Sequence, residues 1–286
     1  MPAFRHVLLP VDFSERCDSI RPLVQALVER FNAKLTLLHV VQVPSGWYGG
    51  VDGGYPILFD VPQMERAAQA ELNSGYKDFP AADKVVSVGD PAAEITQFAS
   101  ANDVDLIMMA THGYGKFRNL LLGSVASKVL HDATCAVWTA AHTENPDLRK
   151  HMECKSIMAA VDVAPECVDL IRQYAKLAKS FEAKLRLAHA LPDGSADQRY
   201  GLDPQFRMFI AKSSREQLAA MQVQAGTDFE VCMAEGSVSK VVRDAALHHE
   251  ADLVLLGRNT LRAPFGQLRT NAYSIIRDSP CPVLSV

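Results

Sequence analysis

No two cysteines in this 286-residue chain stand in a Cys-x-x-Cys spacing; the six thiols, Cys17, Cys135, Cys154, Cys167, Cys232 and Cys281, are scattered. That excludes a zinc ribbon and a thioredoxin-type dithiol, and scattered thiols in a chain this long suit a reducing compartment. An excess of positive charge is also missing. With 29 Lys+Arg against 33 Asp+Glu and a net charge of −4, a nucleic-acid binder that works by neutralising phosphates is not expected. Long apolar runs are lacking too: Val7 to Val11 is cut by Asp12, too short for a signal peptide or a membrane span. There is no G-x-x-x-x-G-K-[ST], and Gly113-Tyr114-Gly115-Lys116-Phe117-Arg118 lacks the third glycine of a dinucleotide fingerprint. The expectation is a cytoplasmic protein with no nucleic-acid and no membrane partner. Its 48% hydrophobic residues suffice for two packed domains of about 140 residues each.

What is present is a repeat. Phe31-Asn-Ala-Lys-Leu-Thr-Leu-Leu-His-Val40 and Phe181-Glu-Ala-Lys-Leu-Arg-Leu-Ala-His-Ala190 are identical at six of ten positions, 150 residues apart. The same offset sets Val11-Asp12 over Val161-Asp162. It drifts to 147 at Gly89/Gly236 and Asp105/Asp252, and to 146 at Cys135/Cys281, as loop deletions in a duplicated domain would make it. The polar stretch 142–151 reads as the linker, giving domains 1–141 and 152–286.

Within the first half, apolar patterning predicts strands over 6–11, 34–41, 84–88, 106–111 and 136–140. Helices are predicted over 62–76, 91–101 and 124–132, and a first one starting near Asp18, because Pro22 is tolerable in an opening turn and damaging in an interior. Strands separated by helices imply parallel crossovers, and runs such as Leu106-Ile107-Met108-Met109 suit strands covered on both faces. Each half should be a doubly wound α/β sandwich.

One segment carries chemistry. Ala110-Thr111-His112-Gly113 follows the apolar strand, and Gly123-Ser124-Val125 opens the next helix. A strand, a glycine-bearing loop and a helix start gather backbone N–H groups and a hydroxyl where an anion could sit. Taken alone, Gly123-Ser124 could equally be a helix start with Ser124 as its cap. Asp12 could cap the turn into the first helix, and Lys116 and Arg118 could neutralise phosphates or simply be solvated.

The spacing Ala110-x2-Gly113-x9-Gly123-Ser124 resembles the G-x2-G-x9-G-[ST] loop of nucleotide-binding universal stress proteins, with alanine at the first glycine. The resemblance extends to Leu8-Leu9-Pro10-Val11-Asp12-Phe13-Ser14, Leu37-Leu38-His39-Val40, Val88-Gly89-Asp90-Pro91 and Ala133-Thr134-Cys135. It implies two tandem doubly wound parallel five-stranded α/β sandwiches, adenine nucleotide alpha hydrolase-like, forming an internal pseudo-dimer. By the same resemblance ATP or AMP, with or without magnesium and not covalently held, would bind beyond the ends of the first and fourth strands. Asp12 and Val40 would hold the ribose and adenine, Pro10 and Met109 would supply apolar surface, and Ala110, Gly113, Gly123, Ser124 and Val125 would surround the phosphates. The family's domains commonly pair through their last strands, here 136–139 and 282–285. A homodimer and a separate protein partner are open alternatives, and Trp47-Tyr48-Gly49-Gly50 could be a lid or a contact.

In the second half the loop is altered. Gly257-Arg258-Asn259-Thr260 has threonine for the middle glycine, and Arg269-Thr270 stands where Gly-Ser stood; Asp162 remains and Ala190 replaces Val40. Weak or absent ATP binding is expected there, with another small ligand as the alternative. No nucleophile–base pair, carboxylate dyad or metal-ligand cluster stands out, so binding as a sensor or adaptor is expected rather than catalysis. Slow ATP hydrolysis or transfer to Ser124 is the catalytic alternative. His39, in an apolar strand, reads as a hydrogen-bonded structural residue. His248-His249 precedes Glu250, but adjacent residues diverge on a helix, so no metal is expected.

Overall fold

Six residues, His6–Val11, open the first half as β1, and four of them, Val7, Leu8, Leu9 and Val11, are buried aliphatics. The computed structural model describes residues 4–43, 60–110, 122–140, 154–192, 204–257 and 267–286. After β1 come α1 (Glu15–Ser19), α2 (Arg21–Phe31), β2 (Lys34–Val41), α3 (Val61–Gly75), β3 (Asp83–Val88), α4 (Pro91–Ala101), β4 (Leu106–Ala110), α5 (Ser124–Asp132) and β5 (Ala136–Ala140). The strand order is β3-β2-β1-β4-β5. The β1–β2, β2–β3 and β1–β4 pairs are parallel, as helical crossovers require. The order reverses between β1 and β4, which in an open parallel sheet places a crevice at their carboxyl ends.

The second half repeats this with β6 (Ser156–Ala160), α6 (Cys167–Phe181), β7 (Lys184–Leu191), α7 (Pro204–Ala225), β8 (Glu230–Glu235), α8 (Val238–His248), β9 (Leu253–Leu256), α9 (Gln267–Asp278) and β10 (Val283–Ser285). Its strand order is β10-β9-β6-β7-β8. Among the described residues no helix is long and apolar enough to cross a membrane.

The predicted first helix is corrected at its start. It begins at Glu15, not near Asp18, because Ser14 Oγ accepts from Cys17 N at 3.1 Å and caps it. It then stops at Ile20 and restarts as α2, with Pro22 in the opening turn, where the missing N–H is harmless. The second half has Arg172 at the position of Pro22, and there the helix, α6, is continuous. Smaller corrections are single residues: β3 starts at Asp83, and α3 spans Val61–Gly75. Thr111, predicted to end the fourth strand, lies outside the described residues.

Local chemistry is duplicated along with topology. Asn32 and Glu182 both end their helices in the left-handed conformation, with φ of 48° and 55°. The alanine that follows each donates to a helix carbonyl, Ala33 N to Val28 O and Ala183 N to Ala178 O, which closes the helix as a Schellman-type turn does. Asp105 accepts from the backbone N–H of Arg5 and His6, and Asp252 from Lys155 and Ser156. Each carboxylate thereby fixes the start of the half's central strand.

The chain divides into two compact units, one drawn from Phe4–Arg118 with Gly123–Val137 and the other chiefly from Trp138–Val286. The later part of β5 thus belongs to the second unit. There Trp138 is 1% exposed with its ring 6.1 Å from that of Phe181, and Thr139 Oγ1 donates to Val283 O at 3.2 Å.

Candidate functional site

Three parallel strands of the first half, β2, β1 and β4, bring five of the predicted binding residues to one end of the sheet. The register pairs Pro10 with Leu38 and Val11 with His39, so Asp12 and Val40 come next along their strands. It pairs Leu8 with Ile107, and two residues further along lie Pro10 and Met109, then Ala110. Met109 is buried, Pro10, Val40 and Ala110 are half-buried, and Asp12 is exposed.

Asp12 serves the turn with one of its two oxygens. Its Oδ1 accepts from Ser14 N at 3.0 Å and from Ser14 Oγ at 2.6 Å. Oδ2 makes no hydrogen bond among the described residues, so turn formation and ligand contact do not compete for the same atom. The tight turn forces Phe13 to φ 57°, an uncommon conformation for a bulky residue. The Phe13 ring lies 4.4 Å from that of His39, whose Nδ1 donates to Val11 O at 2.8 Å. His39 therefore braces the end of β1, as His189 does in the second half by donating from Nδ1 to Val161 O at 3.1 Å. Phe13 carries no signal in the sequence beyond its place after Asp12, since a left-handed aromatic is decided by the turn around it.

Helix α5 follows β4 and so starts at this same end of the sheet. Its cap is Gly123, with φ −56° and ψ 146°, and no side chain bonds to the cap. Ser124 is thus the first helical residue and is exposed; the reading in which Ser124 itself caps the helix is not what the structure has. Val125 is half-buried, and Ala126, Val129 and Leu130 form the buried face. Among the described residues no side chain caps the opening N–H groups of α5, and that end of the helix dipole favours an anion.

A residue pair that sequence reasoning missed bears on where α5 sits. Asp90 caps α4 by accepting from Ala93 N at 3.1 Å, and its Oδ2 lies 3.4 Å from Lys128 Nζ of α5. The Ala93 N–H, with help from the ammonium, lowers the carboxyl pKa. Only a fold could reveal this contact between residues 38 apart. Gly113, Thr111, His112, Lys116, Arg118 and Trp47-Tyr48-Gly49-Gly50 lie outside the described residues.

The corresponding end of the second half is built differently. Tyr174, fully buried, donates from its hydroxyl to Ala160 O at 3.1 Å, whereas the matching carbonyl of Pro10 receives the Cys17 thiol at 3.5 Å. Burial pushes the Tyr174 phenol well above its ordinary pKa and the Cys17 thiol up to about 11. Leu170 packs against Gly257 so closely that a Cβ there would overlap its Cδ2. In the first half the equivalent positions are Ile20 and Ala110. Asp162 accepts from Val163 N at 2.8 Å through Oδ1, without a left-handed residue after it. Arg258, Asn259 and Thr260, and the side chains of Arg269 and Thr270, lie outside the described residues.

Comparison with known proteins agrees with the internal repeat. Over 142 residues the chain is 30% identical to universal stress protein A homolog 1 of Coxiella burnetii, a match covering 47% of this chain and 96% of that one. Homolog 2 of the same organism is 31% identical over 148 residues, covering 48% and 94%. The crystal structure of a universal stress protein from Archaeoglobus fulgidus superposes along nearly the whole chain with a TM-score of 0.66 at 20% identity, covering 98% of this chain and 97% of that one. The model of the universal stress protein family matches twice, over residues 3–140 and 153–286. The chain therefore belongs to the universal stress protein family, with two of its domains in tandem.

Proposed function

We propose that the first half binds an adenine nucleotide, ATP or AMP, and that the protein acts as a sensor or adaptor whose partner-facing surface responds to occupancy. The observation that carries this is the start of α5 at Gly123-Ser124, without a capping side chain among the described residues, at the end of the sheet where β1 and β4 finish. A helix start without a side-chain acceptor suits phosphate, and Asp12 Oδ2 is available for a ribose hydroxyl. Pro10, Val40, Met109 and Ala110 supply the apolar wall, and Gly113 and Val125 complete the loop. In this reading Ser124 donates its hydroxyl to phosphate. The second half, with Tyr174 and Leu170 packed at the matching strand ends, is the half that takes no nucleotide in this reading.

Calorimetric titration with ATP and with AMP tests this. Saturable binding of one nucleotide per chain is expected. Gly123→Arg, which installs the residue found at the matching position of the second half, is expected to weaken binding at least tenfold, about 1.4 kcal/mol, and Asp12→Ala to weaken it less. Absence of nucleotide affinity in the unaltered protein overturns the reading.

A further inference from the structure

At the far end of the second half, where β8 meets the end of α8, three ligating side chains converge. Glu230 and Cys232 are alternate residues of β8 and so share a face of the sheet. His249 caps α8, and its Nε2 lies 3.2 Å from Cys232 Sγ. One ligand atom from each of Glu230, Cys232 and His249 falls within 4.8 Å of the others. We propose that these three residues bind a zinc-class divalent cation through one carboxylate oxygen, one thiolate sulfur and one imidazole nitrogen, with a fourth position left for water.

The geometry is close to what such an ion needs. Zinc–sulfur and zinc–nitrogen bonds of about 2.3 and 2.0 Å in a tetrahedron set the two donors about 3.5 Å apart, a few tenths of an ångström beyond the present separation. Without metal, Cys232 carries a thiol proton and shares a hydrogen bond with Nε2. Binding removes that proton to solvent: the S–H bond breaks, its electron pair forms the sulfur–metal bond, and Nε2 contributes its lone pair while Nδ1 keeps its hydrogen.

Glu230 is held in place from its other side. Its Oε2 accepts from Arg186 Nε at 2.8 Å and lies 3.6 Å from Lys184 Nζ, which leaves Oε1 for the ion, the usual arrangement behind a ligating carboxylate. The two cations also disfavour hard ions held by charge alone, such as calcium or magnesium. A thiolate and an imidazole favour zinc chemistry instead.

The first half is a built-in control. At an offset of 147 the three positions are Asp83, Val85 and Asn102. Asp83 keeps the lysine ion pair, with Lys34 Nζ at 2.8 Å, so carboxylate and lysine belong to the shared scaffold. At these three positions sulfur and imidazole occur only in the second half. They meet across 17 residues and two elements, and neither has a part in the nucleotide crevice.

The test uses the full chain, freed of metal and kept reduced with a non-thiol reductant, titrated with Co2+ and then Zn2+. One equivalent of Co2+ is expected to give the near-ultraviolet sulfur-to-metal charge-transfer band, and Zn2+ to abolish it by displacement. Cys232→Val and His249→Asn install the residues of the first half, which that fold already accommodates. The first is expected to remove the band and the second to weaken binding at least tenfold, while Cys135→Ala keeps the band and all three keep the nucleotide affinity of the parent. A band that survives Cys232→Val, or no band in the parent protein, overturns the proposal. Either result leaves the nucleotide titration to be judged separately.

Discussion

The carboxyl ends of β1 and β6 are the same place in two copies of one fold, and they are finished differently. In the first, Asp12 sets a turn with one oxygen, and the Pro10 carbonyl receives the thiol of Cys17. In the second, the Ala160 carbonyl is met by the Tyr174 phenol, and Leu170 closes on Gly257. Position 174 corresponds to Val24, so a large amphipathic ring has taken the place of a small aliphatic group. Duplication preserved what fixes the backbone: the strand-opening carboxylates Asp105 and Asp252, the histidine braces His39 and His189, and the left-handed caps Asn32 and Glu182. Side chains at the strand ends diverged. A sheet tolerates variation at its rim far better than in its packed interior.

The largest effect is expected where the halves differ in bulk inside the core. Trp138 matches Leu284, and removing its indole with Trp138→Ala should cost about 3–5 kcal/mol, read as a lower urea midpoint. Trp138→Leu, which copies the second half, should cost clearly less; equal costs would mean that leucine recovers none of the packing the indole supplies.

Tyr174→Phe should cost about 1–2 kcal/mol near neutral pH by leaving Ala160 O without its donor. Its pH dependence has a definite sign. The folded-state phenol is raised well above the ordinary value of 10.0, so its contribution is intact below about pH 10 and falls as the pH rises beyond that, where the unfolded chain ionises and the folded one resists. The stability advantage of the parent protein over the Tyr174→Phe variant should therefore shrink on going from about pH 9 to about pH 11. A gap that widens there would contradict the buried, neutral phenol.

The smallest effect concerns what the halves share. Asn32→Gly and Glu182→Gly each place glycine at a left-handed cap, and each should stabilise by up to about 1 kcal/mol, less for Asn32 because asparagine already tolerates that conformation. Matched thermal melts would show whether the two caps respond in that order.

Most element boundaries are legible from local patterning, because buried runs such as Leu106 to Met109 and proline-led helix starts such as Pro91 report burial and capping within a few residues. The first helix is harder to place because its start depends on Ser14, whose hydroxyl is oriented by Asp12, and its break on Pro22 acting three-dimensionally against the turn before it. The nucleotide-loop positions are visible as spacing. What Asp12 does with each oxygen is not, nor that Gly123 rather than Ser124 caps α5, because these are questions of atom position. Lys128 reaching Asp90, Tyr174 reaching Ala160 and His249 reaching Cys232 join residues 14 to 38 apart, beyond any local pattern.

By itself the sequence determined that there are two domains of one kind, their strand and helix periodicities, and the loop motif that only the first retains. Those are encoded as repetition and spacing, which one-dimensional order preserves. Tertiary structure decided which carbonyls the Tyr174 hydroxyl and the Cys17 thiol meet, how the described rim of each sheet is filled, and that, among the described residues, a thiol, an imidazole and a carboxylate come within ligand distance in one half and not in the other. Parallel crossovers bring side chains from separate strands and helices together, and distance across them is set by packing rather than by chain order.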